Sequence, residues 1–308
     1  MSRKSRSTEL SHLPTERPNP QSVDLDSLSA LEIARIINRE DGRVATSVSR
    51  ALPEIARAID VVAATLRKNG RVIYVGAGTS GRIAALDAAE WQPTFGTETR
   101  TVQFVIAGGA KALGAAVEAS EDSRELGKSE LARKRPGLKD VVIGIAASGR
   151  TPFTVAALEY ARQRGAQTIA VTCNRNSQLE RVAHFAIVTE VGPEVISGST
   201  RMKAGTAEKM VLNMISSGAM ARLGYVYGNL MVNLHLKNEK LHHRALGILC
   251  RAAGVNRTEA EHALKEADNR VAVALVMLRT QVNRRTAERI LKGQSGHVRR
   301  AIAAALHR

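Results

Sequence analysis

The sequence predicts an α/β protein: a doubly wound parallel sheet, with helices before it and a small helical bundle after it. Three observations carry this expectation. Five short apolar runs rich in β-branched residues occupy the middle of the chain, helical stretches separate them, and both flanks carry helical periodicity. The runs are continuously apolar rather than alternating, as strands covered on both faces must be.

Residues 1–22 combine Ser, Thr, Pro and charge without periodicity, with Pro14, Pro18 and Pro20 among them, and read as a mobile arm or an extended strap. Ser29 with Glu32 three residues on forms a capping-box signal ahead of Ile33, Ile36 and Ile37. Val44, Val48, Leu52, Ile55, Ile59, Val62 and Leu66 recur at helical spacing, and Pro53 is expected to kink or divide that helix. The five strand runs are Arg71–Val75, Val102–Ala107, Val141–Ala146, Thr168–Thr172 and Phe185–Thr189, with Thr151–Gln163 a clear intervening helix. After Gly224 the pattern is helical again, with Thr258 and Glu261 as a second capping-box signal and Gly254 and Gly293 as punctuation. The expected organisation is an arm and helix over 1–44, a sheet domain over 45–225, and a helical linker and bundle over 226–308.

Composition narrows the function classes. A chain of 308 residues holds one large α/β domain with an appendage, or two modest domains. Two cysteines in no metal or redox spacing point to a reducing compartment, and the basic N-terminus lacks the apolar stretch of a secretory signal. No apolar run is long enough to span a bilayer, so a soluble cytoplasmic protein without membrane contact is expected. The net charge of +16 admits nucleic acid or anionic small molecules as partners, yet the arginines are scattered and aromatics are only 3%. Nucleic acid is therefore disfavoured.

Three loops carry the chemistry. The first strand runs into Gly76-Ala77-Gly78-Thr79-Ser80-Gly81-Arg82, formally the G-x-G-x-x-G of dinucleotide sites. That reading also needs an acidic residue at the end of the second strand. Ala107-Gly108-Gly109 stands there instead, and hydroxyls beside backbone amides suit a phosphate monoester. Ala147-Ser148-Gly149-Arg150-Thr151-Pro152 follows the third strand, and Ser197-Gly198-Ser199-Thr200-Arg201-Met202-Lys203 the fifth. Each alone reads as a capped helix start. In an open parallel sheet, however, such loops converge on one crevice at the carboxyl ends of the strands. The expected ligand is a phosphorylated, hydroxyl-rich small molecule.

These loops resemble the sugar isomerase (SIS) domain. With Leu86-Asp87-Ala88-Ala89-Glu90, Glu118-Ala119-Ser120-Glu121-Asp122-Ser123 and Gly198–Thr206 added, nearly the whole chain from about Leu13 resembles the bacterial N-acetylmuramic acid 6-phosphate etherases. The one local departure is Trp91-Gln92, where that family usually has Cys-Pro. The resemblance implies acid/base elimination of the lactyl ether with later addition of water, without metal or redox cofactor, in amino-sugar catabolism and cell-wall recycling. It implies Glu90 as the acid/base serving the C2 proton and leaving group, and Glu121 as the second catalytic carboxyl, handling the water. Two carboxyls in one pocket can split their pKa values and hold opposite protonation states. Glu118, Asp122 and Glu125 are read as structural. The resemblance further implies Ser80, Ser148, Ser199 and Thr200 at the phosphate, with Thr79, Gly149, Arg150, Thr151 and Lys203 as further substrate contacts. Arg150 or Arg82 is left to pair the lactyl carboxylate, His242 either to reach a neighbouring subunit or to be solvated, and a homodimer is expected. The same architecture serves sugar-phosphate-sensing regulators and aldose–ketose isomerases. Residues 1–45 are too short and proline-broken for the DNA-binding domain of such a regulator, and the glutamate pair in etherase-like motifs disfavours the isomerase.

Overall fold

A computed structural model describes residues 14–236 and 238–307; of the expected arm, residues 1–13 lie outside the described residues. The five strands form where expected: β1 (Val72–Gly76), β2 (Val102–Ile106), β3 (Val141–Ile145), β4 (Gln167–Thr172) and β5 (Phe185–Val188). They form one parallel sheet in the order β2-β1-β3-β4-β5, with Val72 level with both Val102 and Val141. Every residue of β1 and β3 is buried, which is why neither strand alternates polar and apolar residues.

The helices follow from local signals. The α1 helix (Ala30–Asp41) starts at a complete Ser29–Glu32 capping box. Pro53 divides rather than kinks its segment: α2 (Val44–Ser49) ends before it, and Pro53 sits in the first turn of α3 (Leu52–Arg67), where no N–H is lost. The sheet domain continues with α4 (Gly78–Phe95), α5 (Arg124–Arg133), α6 (Pro152–Gln163), α7 (Gln178–Val182) and α8 (Lys203–Leu223). The C-terminal bundle holds α9 (Glu239–Ala253), α10 (Arg257–Glu266), α11 (Val271–Thr280), α12 (Arg284–Gly293) and α13 (Val298–Leu306) around its own apolar core.

Two details differ from expectation. The capping box of α10 is built by Asn256 and Glu259, two residues before the expected Thr258–Glu261 pair. A short antiparallel pair, β6 (Val226–Tyr227) and β7 (Leu230–Met231), turns on Gly228-Asn229. Among the described residues, those up to Ala88 form one compact unit with Arg100–Ser216, and Ala89–Thr99 forms the other with those from Ser217 onward. The last turns of α4 thus belong with the C-terminal helices. Trp91 there is 1% exposed and meets Phe95 edge-on at 6.0 Å, and a Cβ on Gly96 would stand 2.4 Å from the Asn233 carbonyl oxygen. Trp91, the departure from the family pattern, is a core side chain of that unit.

Residues 14–22 form a strap tied to the sheet domain by polar contacts. Asn174 donates to the buried Thr15 hydroxyl at 3.1 Å, and Ser22 to the Val195 carbonyl at 2.7 Å. Asn19 donates to Glu40 Oε2 at 3.0 Å, and the same oxygen takes the Lys203 ammonium at 2.7 Å. Lys203 and Glu40 side chains are only 1% and 2% exposed. Burial pushes the Glu40 carboxyl up, but the Lys203 and Asn19 hydrogen bonds and the Lys203 and Arg43 charges outweigh it and hold the group below the ordinary carboxylate range. Removing one member of such a pair strands a buried charge. Lys203→Met should therefore cost about 3–5 kcal/mol in urea unfolding, and adding Glu40→Gln should recover part of that loss.

Candidate functional site

The first loop is shaped by close packing as much as by ligand chemistry. A Cβ on Gly76 would lie 2.8 Å from the Gly81 nitrogen, and one on Gly81 would lie 2.5 Å from Ile106 Cγ1. Two of the three glycines are thus demanded by the fit of β1, α4 and β2. The third, Gly78, has φ +51, and a Cβ there would stand 3.0 Å from Glu121 Oε1. The Glu121 carboxyl therefore faces the turn that opens α4. Its main chain also anchors the second loop, because the Phe153 N–H at the start of α6 donates to the Glu121 carbonyl at 3.0 Å. Partial burial raises the Glu121 pKa above the usual carboxylate value, helped by the charges of Glu118 and Asp122 and opposed by Arg82. Glu118 and Asp122, read from sequence as structural, thus act electrostatically on the expected catalytic group. Arg82 is pinned by the Ala112 and Ala115 carbonyls, each at 2.8 Å, which commits it to the segment after β2.

In the second loop Gly149 has φ +66, with Ser177 Oγ and Thr172 Oγ1 at 2.4 and 2.7 Å from a Cβ built there, so no side chain fits. Ser148 and Arg150 are half-buried, and the Arg150 N–H donates to Ser148 Oγ at 3.2 Å. Thr151 is the N-cap of α6 yet makes no side-chain cap bond, with Pro152 in the first turn. The third loop keeps Ser199 and Thr200 half-buried. Its helix start is already occupied: the Lys203 and Ala204 N–H groups donate to the two oxygens of Glu194 at 3.0 and 2.9 Å. That carboxylate, pushed up by burial against those two amides, fills the anion position at the N-terminus of α8.

The structure joins the first and third loops. A Cβ on Gly205 would sit 3.3 Å from Thr79 Cγ2, and Ser80 Oγ lies 2.8 Å from Glu208 Oε1. Two expected phosphate contacts change character. The Lys203 ammonium is buried in an ion pair with Glu40. Ser80 is 8% exposed, and its hydroxyl is shared with a carboxyl that sequence reasoning missed. Glu208 carried a signal nonetheless, since it falls among Ala204, Ala207, Val211 and Leu212 on the buried stripe of α8. Glu90 is exposed and sits roughly three turns, about 18 Å, along α4 from Gly78. His242 is half-buried in the first turn of α9. Among the described residues no group of His, Cys, Asp and Glu is placed to hold a metal ion, and no helix is long and apolar enough to cross a membrane.

Residues 54–162 match the glucokinase regulatory protein N-terminal SIS domain, residues 128–217 the SIS domain, and residues 228–267 the C-terminal lid domain of glucokinase regulatory protein. Full-length relatives are closer. An N-acetylmuramic acid 6-phosphate etherase of Symbiobacterium thermophilum is 55% identical over 271 residues, covering 88% of this chain and 90% of its own. Those of Clostridium beijerinckii and Salmonella agona are each 48% identical and cover 97% and 99% of their own lengths, against 96% and 95% of this chain. With a parallel SIS sheet in place and identity at this level along nearly its whole length, the chain belongs to the N-acetylmuramic acid 6-phosphate etherase family.

Proposed function

We propose that this protein cleaves the D-lactyl ether of N-acetylmuramic acid 6-phosphate, giving N-acetylglucosamine 6-phosphate and D-lactate. The observation that carries the reading is near-full-length identity to etherases, with Glu90 and Glu121 standing in etherase-like motifs. Opening of the sugar ring exposes an aldehyde at C1, which acidifies the C2 proton. A carboxylate takes that proton, a carboxylic acid protonates the departing lactate oxygen, and water then adds to the unsaturated aldehyde. Glu121 lies next to the Gly78 turn, and partial burial raises its pKa above the usual carboxylate value, which suits it to proton transfer. The phosphate is assigned to Thr79, Ser80, Ser148, Gly149, Thr151, Ser199 and Thr200. Arg150 is left to face either the phosphate or the lactyl carboxylate.

Glu90 needs a separate argument. A sugar whose phosphate rests at the start of α4 ends well short of a residue about 18 Å further along the same helix. We infer that the expected homodimer supplies it, so that Glu90 of the partner subunit serves each site. Incubation with N-acetylmuramic acid 6-phosphate should release D-lactate, and no lactate from folded protein sinks the reading. Glu90→Ala and Glu121→Ala should each fall by at least about a hundredfold in kcat, the low end for an acid/base group. Mixed together under subunit exchange, the two inactive variants should regain activity, because a hybrid dimer keeps one intact site. If exchange occurs without recovery, Glu90 acts within its own chain.

The acidic neighbours of Glu121 give a pH prediction. Both raise its pKa by disfavouring the charged form. In Glu118→Gln and Asp122→Asn, the limb of the kcat/KM profile governed by Glu121 should therefore move to lower pH, measured by lactate release across the acidic range.

A further inference from the structure

Glu208 has no counterpart in the proposed chemistry, yet its position is unusual for a carboxyl. It is 1% exposed, on the inner stripe of α8, and Oε1 lies 2.8 Å from Ser80 Oγ. Oε2 has no hydrogen-bond partner among the described residues. The charged and titratable groups around it are committed elsewhere. Lys203 is bound to Glu40, and Lys209 donates to Asn213 Oδ1, with Asp87 at 3.9 Å. Arg82 is held by two main-chain carbonyls, and Glu194 accepts the first amides of α8. Cys173, fully buried, is raised by burial and by the charges of Glu208 and Glu194, so it stays a neutral thiol. Among the described residues no cation offsets a charge on Glu208.

We propose that Glu208 is a positioning residue that, as a neutral carboxylic acid, donates its O–H to Ser80 Oγ and so frees the Ser80 hydroxyl hydrogen to point at the substrate phosphate. A hydroxyl has one hydrogen to give, and its direction follows the network around it. When Glu208 is protonated, Ser80 accepts from it and donates outward. When Glu208 ionises, it becomes an acceptor only, so the Ser80 hydrogen turns inward and an uncompensated negative charge appears behind the phosphate site. Both changes weaken binding of a dianion. Burial pushes the Glu208 carboxyl up to about 8, opposed only by the Ser80 hydrogen bond, so the neutral form prevails at neutral pH.

The inference rests on the assignment of Ser80 to the phosphate, and the experiment separates the two. KM and kcat for N-acetylmuramic acid 6-phosphate are measured from pH 6.5 to 9.5 for the intact protein, Glu208→Gln and Ser80→Ala. In the intact protein KM should rise about tenfold by pH 9, with kcat much less affected. In Glu208→Gln, whose amide also donates and does not ionise, KM should stay within about twofold over the range. Ser80→Ala should raise KM already at pH 7. An unchanged KM in Ser80→Ala overturns the phosphate assignment itself. A raised KM in Ser80→Ala, with Glu208→Gln following the intact protein upward at alkaline pH, overturns the role of Glu208 alone. Inorganic phosphate binding to the intact protein supplies a readout independent of any variant. Affinity should fall above pH 8, and constant affinity to pH 9.5 overturns the proposal.

Discussion

The constraint on which the rest of this molecule depends is the all-parallel pairing of its sheet. Parallel strands cannot be joined by tight turns, so each crossover spends a helix, and the helices cover both faces. Every residue of β1 and β3 is then buried, and the one hydroxyl among them, on Tyr74, donates to Asp87 Oδ2 at 2.9 Å. Side chains able to meet a charged ligand are left to the carboxyl ends of the strands, where the loops leave the sheet. Thr79, Ser148 and Ser199 are on such loops for that reason. The same crowding decides the glycines: Gly76 and Gly81 make room for each other and for Ile106, and Gly149 makes room for Ser177 and Thr172.

Those relationships explain what could be read from sequence. The strands were legible because continuous apolar runs bounded by glycine leave few alternatives, and the five runs match the observed strands within a residue or two. Pro152 announced a helix start because a proline at that position sacrifices no hydrogen bond, and Pro53 marked a division for the same reason. The β6–β7 pair escaped notice because two residues per strand carry no measurable alternation, although Gly228-Asn229 is a turn signal. The boundaries of the compact units fall within the residue ranges of helices α4 and α8, where the sequence carries no break. Only packing, such as that of Trp91 on Phe95, records the change of allegiance.

The site was less legible than the fold, for a physical reason. Residue type tells what a group can do in water, while its partner decides what it does in place. Lys203 closes a Ser/Thr-rich loop, and its ammonium is held by Glu40, 163 positions away in sequence. Glu118 and Asp122 look like solvated carboxylates until their charges fall on Glu121. Neither relationship has a sequence period.

The start of α8 shows the point most sharply, because three buried glutamates meet it with three different degrees of compensation. Glu40 receives a full cation and an amide and is held ionised. Glu194 receives two main-chain N–H groups at a helix N-terminus, enough to offset part of its burial. Glu208 receives one hydroxyl, which offsets little. The direction of each shift follows the compensation: Glu40, with a cation bound, is lowered, whereas burial outweighs the partners of Glu194 and Glu208 and raises both. Of these partners, only the Ser80 hydroxyl is itself assigned to the ligand. The protonation state of Glu208 is therefore the one with a direct route to that ligand, whereas those of Glu40 and Glu194 end within the scaffold that holds the loop in place.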